Sequence, residues 1–275
     1  MESERAAAGH YGGTEPLAVI LAALRAAGRD PDHPTAEDLA PIDEFHVRGR
    51  EATAELGLAL GLAPGQAVLD IGSGLGGPSR HLAAAHGCHV TGIDLTAAYV
   101  RAAEGLAARI GLGGRVRYVQ ASALALPFAD HSFDVAYTQH VAMNIADKPR
   151  LYAEAFRVLR PGARFGLYDL LQGPGGDALY PAPWAREAAA SFLATPDELR
   201  ALLERAGFEI LSWQDRSEPA RAWLAAQRRR LREAGPPPLG LAMLLGPNFA
   251  AMARNQARNL EEGRVTPTEV ICRRR

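Results

Sequence analysis

Apolar positions change their period once along the chain, near residue 65. Before that point Leu17, Ile20, Leu21 and Leu24 recur at helical spacing, and the breaker stretch GRDPDHPT at residues 28 to 35 ends the run. A second amphipathic run from Glu44 to Leu60 carries Phe45, Val47, Ala54, Leu56 and Leu60, and APG at residues 63 to 65 stops it. Residues 1 to 62 are expected to form an N-terminal helical cap.

From Ala67 short apolar runs alternate with helical ones. AVLDIG, HVTGIDL, VRYVQA, FDVAYTQ and RFGLYDLL read as strands beginning near residues 67, 89, 116, 133 and 164, with SRHLAAAH, AAYVRAAEGLAARIG and PRLYAEAFRVLRPG as helices among them. This alternation predicts an α/β fold, a mostly parallel sheet with helices on both faces. Next come a Pro- and aromatic-rich insertion, a helix started by Thr195 and Pro196, and a strand FEILSW. Two helical stretches divided by GPPPLG lead to a last strand, TPTEVICRR. Residues 63 to 275 are expected to make one domain with lid segments at 173 to 195 and 218 to 262.

Composition narrows the chemistry. The 275 residues, 48% hydrophobic, suffice for a sizeable core, and 30 basic against 31 acidic residues exert no global pull on nucleic acid or anionic membrane. Lys148 is the one lysine, so a Schiff base or a Walker-type phosphate site must use it. Cys88 and Cys272 lie far apart, which excludes CxxC redox pairs and thiolate metal clusters and fits a reducing, cytoplasmic setting. The start MESERAAAGHYGG has no apolar h-region, and no apolar run reaches the ~18 residues of a membrane span.

The strongest motif is VLDIGSGLGGPSRHLA at residues 68 to 83, followed by Asp94 in VTGIDLT. Gly72, Gly74 and Gly77 satisfy GxGxxG between a strand and a helix, which suits either a dinucleotide or another adenosyl ligand, and Asp94 is placed to accept from ribose hydroxyls. Asp70 separates the two. A carboxylate there opposes a pyrophosphate at the helix N-terminus and favours a cationic ligand. S-adenosylmethionine carries a sulfonium and an ammonium but no phosphate.

VLDIGSGLGG, GIDL, ALALPFADHSFDVAYTQH and RVLRPGARF, in this order, resemble the class I S-adenosylmethionine-dependent methyltransferases, in the branch acting on small molecules such as quinones, tocopherols and glycine derivatives. The resemblance covers residues 65 to 172 well. It implies a Rossmann-like sheet of seven strands with the last antiparallel, helical lid insertions, and S-adenosyl-L-methionine as cofactor. Carried onto this chain, it puts Gly72, Gly74 and Gly76 beneath the methionine moiety with Ser73 also at the cofactor, Asp94 on the ribose, Leu95 on the adenine face and the backbone near Gln139 at the ammonium. Where the family commonly has an acid before LPF, this chain has Ser122, so adenine binding leans on Ala123 and Leu124.

Methyl transfer requires alignment in a dry pocket, and a base if the acceptor is a hydroxyl or a carbon acid. No His or Cys spacing suggests a metal. Ligands bind at the carboxyl ends of the strands, where His140 and Asp169 are expected to form a histidine–carboxylate pair. Alternatively His140 shapes the cofactor wall and Asp169 ties down a loop. On the substrate side are His46, read as beginning the last cap helix, and Tyr11, Met143, Tyr180 and Trp184 in connecting segments. Arg254, Asn255, Arg258 and Asn259 read as a solvated helix face. The expected activity is methylation of a small-molecule nitrogen, oxygen or carbon. A nicotinamide oxidoreductase or a non-methylating S-adenosylmethionine-binding protein are the alternatives.

Overall fold

The computed structural model describes residues 15–237 and 239–275. Helices α1 (Pro16–Ala26), α2 (Ala36–Asp43) and α3 (Gly49–Leu60) precede the sheet. Strands β1 (Ala67–Ile71), β2 (His89–Asp94), β3 (Val116–Gln120) and β4 (Phe133–Gln139) follow, with α4 (Gly77–His86) and α5 (Ala97–Arg109) joining the first three. Then come α6 (Lys148–Val158), β5 (Leu159–Gln172), α7 (Pro196–Arg205), β6 (Phe208–Asp215), α8 (Ser217–Ala234), α9 (Ala242–Leu245), α10 (Phe249–Glu261) and β7 (Val265–Arg274). The sheet order is β3-β2-β1-β4-β5-β7-β6, with β7 antiparallel to both neighbours. Among the described residues no helix is long and apolar enough to cross a membrane.

Two differences from the sequence reading bear on the site. The run from Glu44 to Leu60 is helical only from Gly49, because Arg48 takes a left-handed backbone (φ 71°) that no helix continues through. Residues 44 to 48 instead form a turn at the sheet's carboxyl end. β5 starts at Leu159, where it first pairs with Phe133 of β4, and runs to Gln172 along β7. Asp169 therefore lies inside the strand.

The cap has no core of its own. Ile20, Ala23, Leu24, Leu39 and Ile42 pack with Tyr99, Ala102 and Leu106 of α5, and Leu56 and Leu60 of α3 join the sheet core beside Val68 and Tyr137. A buried ion pair fastens α2 to the glycine loop: Arg80 of α4 bonds Asp43 through Nη2 and Leu75 O through Nη1 at 2.6 Å.

The first inserted segment, 173–195, is irregular apart from a 3-10 turn at Ala188–Ala190, since Gly173, Pro174, Gly175, Gly176, Pro181 and Pro183 deny it a helix. α10 holds it. Buried Asn259 accepts from Leu179 N at 2.7 Å and donates to Leu179 O at 3.1 Å, while Asn255 donates to Pro181 O at 2.9 Å. The asparagines expected on a solvated face thus clamp a loop, because their side-chain amides satisfy backbone groups that no strand pairs.

Candidate active site

A single cavity runs across the carboxyl ends of β1, β2, β3 and β4. Its walls include Asp70, Gly72, Ser73, Gly74, Asp94, Leu95, Ser122, Ala123, Leu124, Gln139 and His140, and also Asp43, Phe45, His46, Leu75, Thr96, Tyr99, Val141, Asn144 and Ile145. The first group was expected from sequence. Of the second, His46 is expected on the substrate side and Leu75 belongs to the glycine loop; the others come from the end of α2 and the turn after it, from the start of α5 and from the turn after β4, which no local motif marks.

The glycine loop is shaped by its neighbours as well as by a ligand. Gly72 is left-handed (φ 84°), and a Cβ there would strike Val141. At Gly74 (φ 53°) a Cβ would meet no protein atom, so its open side belongs to the cavity. Gly76 differs: its missing side chain makes room for Tyr118, whose hydroxyl donates to Gly76 O at 3.2 Å, and it is absent from the cavity wall. Gly76, expected beneath the ligand, thus turns its Cα and carbonyl toward Tyr118.

Asp94 holds this loop in place, accepting from Gly74 N at 3.0 Å and Thr96 N at 2.8 Å. Burial raises its pKa. Asp70 accepts from Ser79 Oγ at 2.6 Å, and burial, reinforced by the nearby Asp94 charge, pushes its pKa up to about 6 against the opposing Ser79 bond. Among the described residues no Arg or Lys lines the cavity. Two confined carboxylates repel pyrophosphate and suit the sulfonium and ammonium of S-adenosylmethionine, so these residues fit that cofactor. Ser122 accepts from Leu124 N at 3.0 Å and shapes the turn after β3.

Beyond Gln139 the character changes to neutral histidine. His140 is left-handed (φ 52°), its N donates to Tyr168 O at 2.8 Å, and its ring stacks on Tyr168 at 5.4 Å. Its buried Nε2 has no hydrogen-bond partner among the described residues, and burial holds the imidazole neutral, its pKa well below 6.5. Strain of this kind, at a strand end in a cavity wall, is characteristic of functional positions.

Asp169 does not serve His140. Its Oδ2 accepts from Ala142 N at 2.7 Å and its Oδ1 from Leu170 N at 2.9 Å, so the carboxylate secures the turn after β4. Burial raises its pKa to about 6. The carboxylate–histidine contact falls elsewhere. Glu44 Oε2 lies 3.3 Å from His46 Nε2 and accepts from Thr53 Oγ at 2.8 Å. His46 Nε2 also reaches Gly49 O at 3.0 Å and Gln139 Nε2 at 3.3 Å. Burial pushes Glu44 up to about 7 and His46 down to about 4.

Of the other expected substrate residues, Trp184 is buried with Met143, Leu170, Ala178 and Leu260, and its indole N–H is taken by Ser191 Oγ at 2.9 Å. Tyr180 packs edge-on against it at 6.2 Å. These three residues build the core beneath the inserted segments and do not line the cavity. Tyr11 lies outside the described residues.

Comparison with known proteins agrees with this geometry. Residues 69–167 match the family model described as a methyltransferase domain. The chain is 34% identical over 187 residues to O-methyltransferase resE of Aspergillus sclerotiorum, covering 65% of this chain and 68% of the relative. It is 32% identical over 226 residues to O-methyltransferase cnsE of Penicillium expansum, covering 72% and 82% respectively. Among solved structures, the [4+2]-cyclase SpnF superposes with a TM-score of 0.64 at 25% identity, covering 82% of this chain and 80% of that one. Relatives matched along most of their length, together with a carboxylate-lined glycine loop at the strand ends, set hydride transfer aside: the chain belongs to the class I S-adenosylmethionine-dependent methyltransferases that modify small molecules.

Proposed function

We propose that the chain methylates a hydroxyl oxygen of a small, weakly polar acceptor, and that His140 Nε2 takes the hydroxyl proton. The observation behind this reading is the buried, unpartnered Nε2 of a neutral histidine in the wall of the cavity that also holds Asp70, Asp94 and Gln139. S-adenosylmethionine supplies an electrophilic methyl whose departure turns a sulfonium into a neutral thioether. The acceptor oxygen gains the methyl as its proton passes to His140, so charge and atoms balance. An amine acceptor would need no base, and the neutral histidines offer an ammonium no counter-charge.

Within this reading Asp70, Gly72, Ser73, Gly74, Asp94, Leu95, Ser122, Ala123, Leu124 and Gln139 hold the cofactor, and His46 faces the acceptor. The turn after α2 brings Phe45 and His46 to the acceptor side of the cavity, and described parts of the segments 173–195 and 218–262 pack behind that wall against Val47 and Met143. The near-neutral charge and a wall without Arg or Lys among the described residues support a small molecule over nucleic acid as acceptor. Two curated relatives named as O-methyltransferases point the same way. The test is a panel of phenols, enols, amines and carbon acids, read by S-adenosylhomocysteine release and product mass. O-methyl products are expected. Turnover confined to amines would overturn the oxygen assignment, and a rearranged product without S-adenosylhomocysteine would align the chain with the cyclase instead.

A further inference from the structure

The one lysine among 30 Lys and Arg residues sits where an arginine cannot serve. Lys148, the first residue of α6, is buried, and its Nζ donates to Ala142 O at 2.7 Å, Ile145 O at 2.8 Å and Phe192 O. A tetrahedral ammonium has three donors for this cage of three carbonyls, whereas a planar guanidinium cannot converge its donors on one point. Two of the carbonyls bracket the 3-10 turn Ala142–Asn144 that follows His140, and the third belongs to the inserted segment. Phe192 N closes the same joint by donating to Met143 O at 2.7 Å. Asp169 holds the turn through Ala142 N. The joint thus links the wall formed by His140, Val141, Asn144 and Ile145 to the inserted segment at Phe192.

We propose that Lys148 is a positioning residue for methyl transfer: its ammonium locks segment 173–195 onto the turn after His140, and loss of its proton opens that joint and sets the upper pH limit of the reaction. The proposal rests on the reading of this cavity as the methyl-transfer site. The charged groups facing the ammonium are Asp169 of β5 and Glu198 of α7, and both favour the charged form. Burial outweighs them and brings the pKa from 10.5 to about 8. A neutral amine has only two donors for three carbonyls and no charge to set against Asp169. The fold does not weaken as this proton leaves, because a lysine titrating lower when folded than when unfolded makes stability rise with pH between about 8 and 10.5. Unfolding through this group therefore does not explain a loss of rate in that window.

A single lysine gives a single side-chain resonance, so the test is a titration of the whole enzyme carrying lysine labelled with carbon-13 at Cε. It is compared with the kcat profile for a hydroxyl acceptor that does not ionise in the same range. The resonance and the alkaline limb of kcat are expected to share a midpoint near 8. In Lys148→Cys, kcat is expected to fall about 10- to 100-fold while the Kd for S-adenosylmethionine stays within about 3-fold. Alkylation of that variant with 2-bromoethylamine restores an ammonium of lysine length; rate should return, with the alkaline limb moved to lower pH because the sulfur-containing side chain is less basic. Lys148→Arg should not restore rate.

A resonance titrating at the ordinary lysine value, an alkaline limb that does not follow it, or a Lys148→Cys variant with the wild-type rate and limb would each overturn the proposal. If the cysteine variant fails to fold, the wild-type titration against its own limb decides. Failure of the methyltransferase reading would look different: no S-adenosylhomocysteine at any pH.

Discussion

At the glycine-loop end of the cavity the expected cofactor residues come from one stretch of chain, Asp70 to Leu124, whereas the His140 end is assembled from the turn after α2, the end of β4 and the turn beyond it. The first end is made largely of backbone and two carboxylates, with Asp94 fastening the glycine loop through two N–H groups. The second end is made of neutral histidines, themselves held by Thr53 and Gly49 of α3 and by Tyr168 of β5. Charge favours a cation at one end, and burial keeps a proton acceptor uncharged at the other. Binding and chemistry are therefore separable by substitution.

The largest effect is expected where the cap meets the loop. Arg80→Leu leaves Asp43 buried without its partner and should cost about 3–5 kcal/mol of stability, measured by urea unfolding. A loss under about 1 kcal/mol would mean that the pair does not join the two regions. Next is Gly74→Val, which places a branched side chain in the cavity's open side and asks it to adopt φ 53°. The Kd for S-adenosylmethionine should rise about 100-fold or more, ~2.7 kcal/mol, in a protein that still unfolds cooperatively. Calorimetry giving a near-normal Kd would remove the loop from the binding site.

Asp94→Ala should weaken cofactor binding about tenfold or more, both by loss of ribose contacts and by freeing Gly74 N. Asp94→Asn keeps an acceptor for one of these N–H groups and should fall between Ala and wild type; equal Kd values for all three proteins would refute the ribose assignment. The smallest effect concerns pH. Asp70 is ionised above about 6, and binding a cationic headgroup below that pH must first expel its proton. Affinity should hold between pH 7 and 8 and weaken by up to about tenfold by pH 5. A pH-independent Kd, or one that tightens in acid, would contradict the role given to Asp70.

The same contrast explains what could be read from sequence. β1 to β4 begin at the expected positions, and the cavity wall from Asp70 to Leu124 follows from motifs whose residues are neighbours in the chain. Glu44, Thr53, Tyr99 and Asn144 carry no local signal, because each reaches the cavity region or its supporting network through packing between distant elements. Asp169 was paired with His140 because both lie near strand ends, but an acid there can equally cap the backbone of the next turn. Trp184 and Tyr180 were assigned to the acceptor for being aromatic in a proline-rich segment, and such rings serve just as well as the core that such a segment otherwise lacks. Spacing could not separate Asn255 and Asn259 from a solvated face. Their role depends on the carbonyls of residues 179 and 181.

The central claim, that His140 acts in the chemistry and not in cofactor binding, is tested most directly by His140→Ala with a hydroxyl acceptor, measuring the Kd for S-adenosylmethionine and the pH dependence of kcat together. The account predicts a Kd within about 3-fold of wild type and a kcat lower by ~100-fold. In the wild type kcat should stay level as pH falls through 6.5, since burial keeps the imidazole neutral well below that value. A variant that retains the wild-type kcat, or one that loses cofactor affinity in step with its rate, would contradict it.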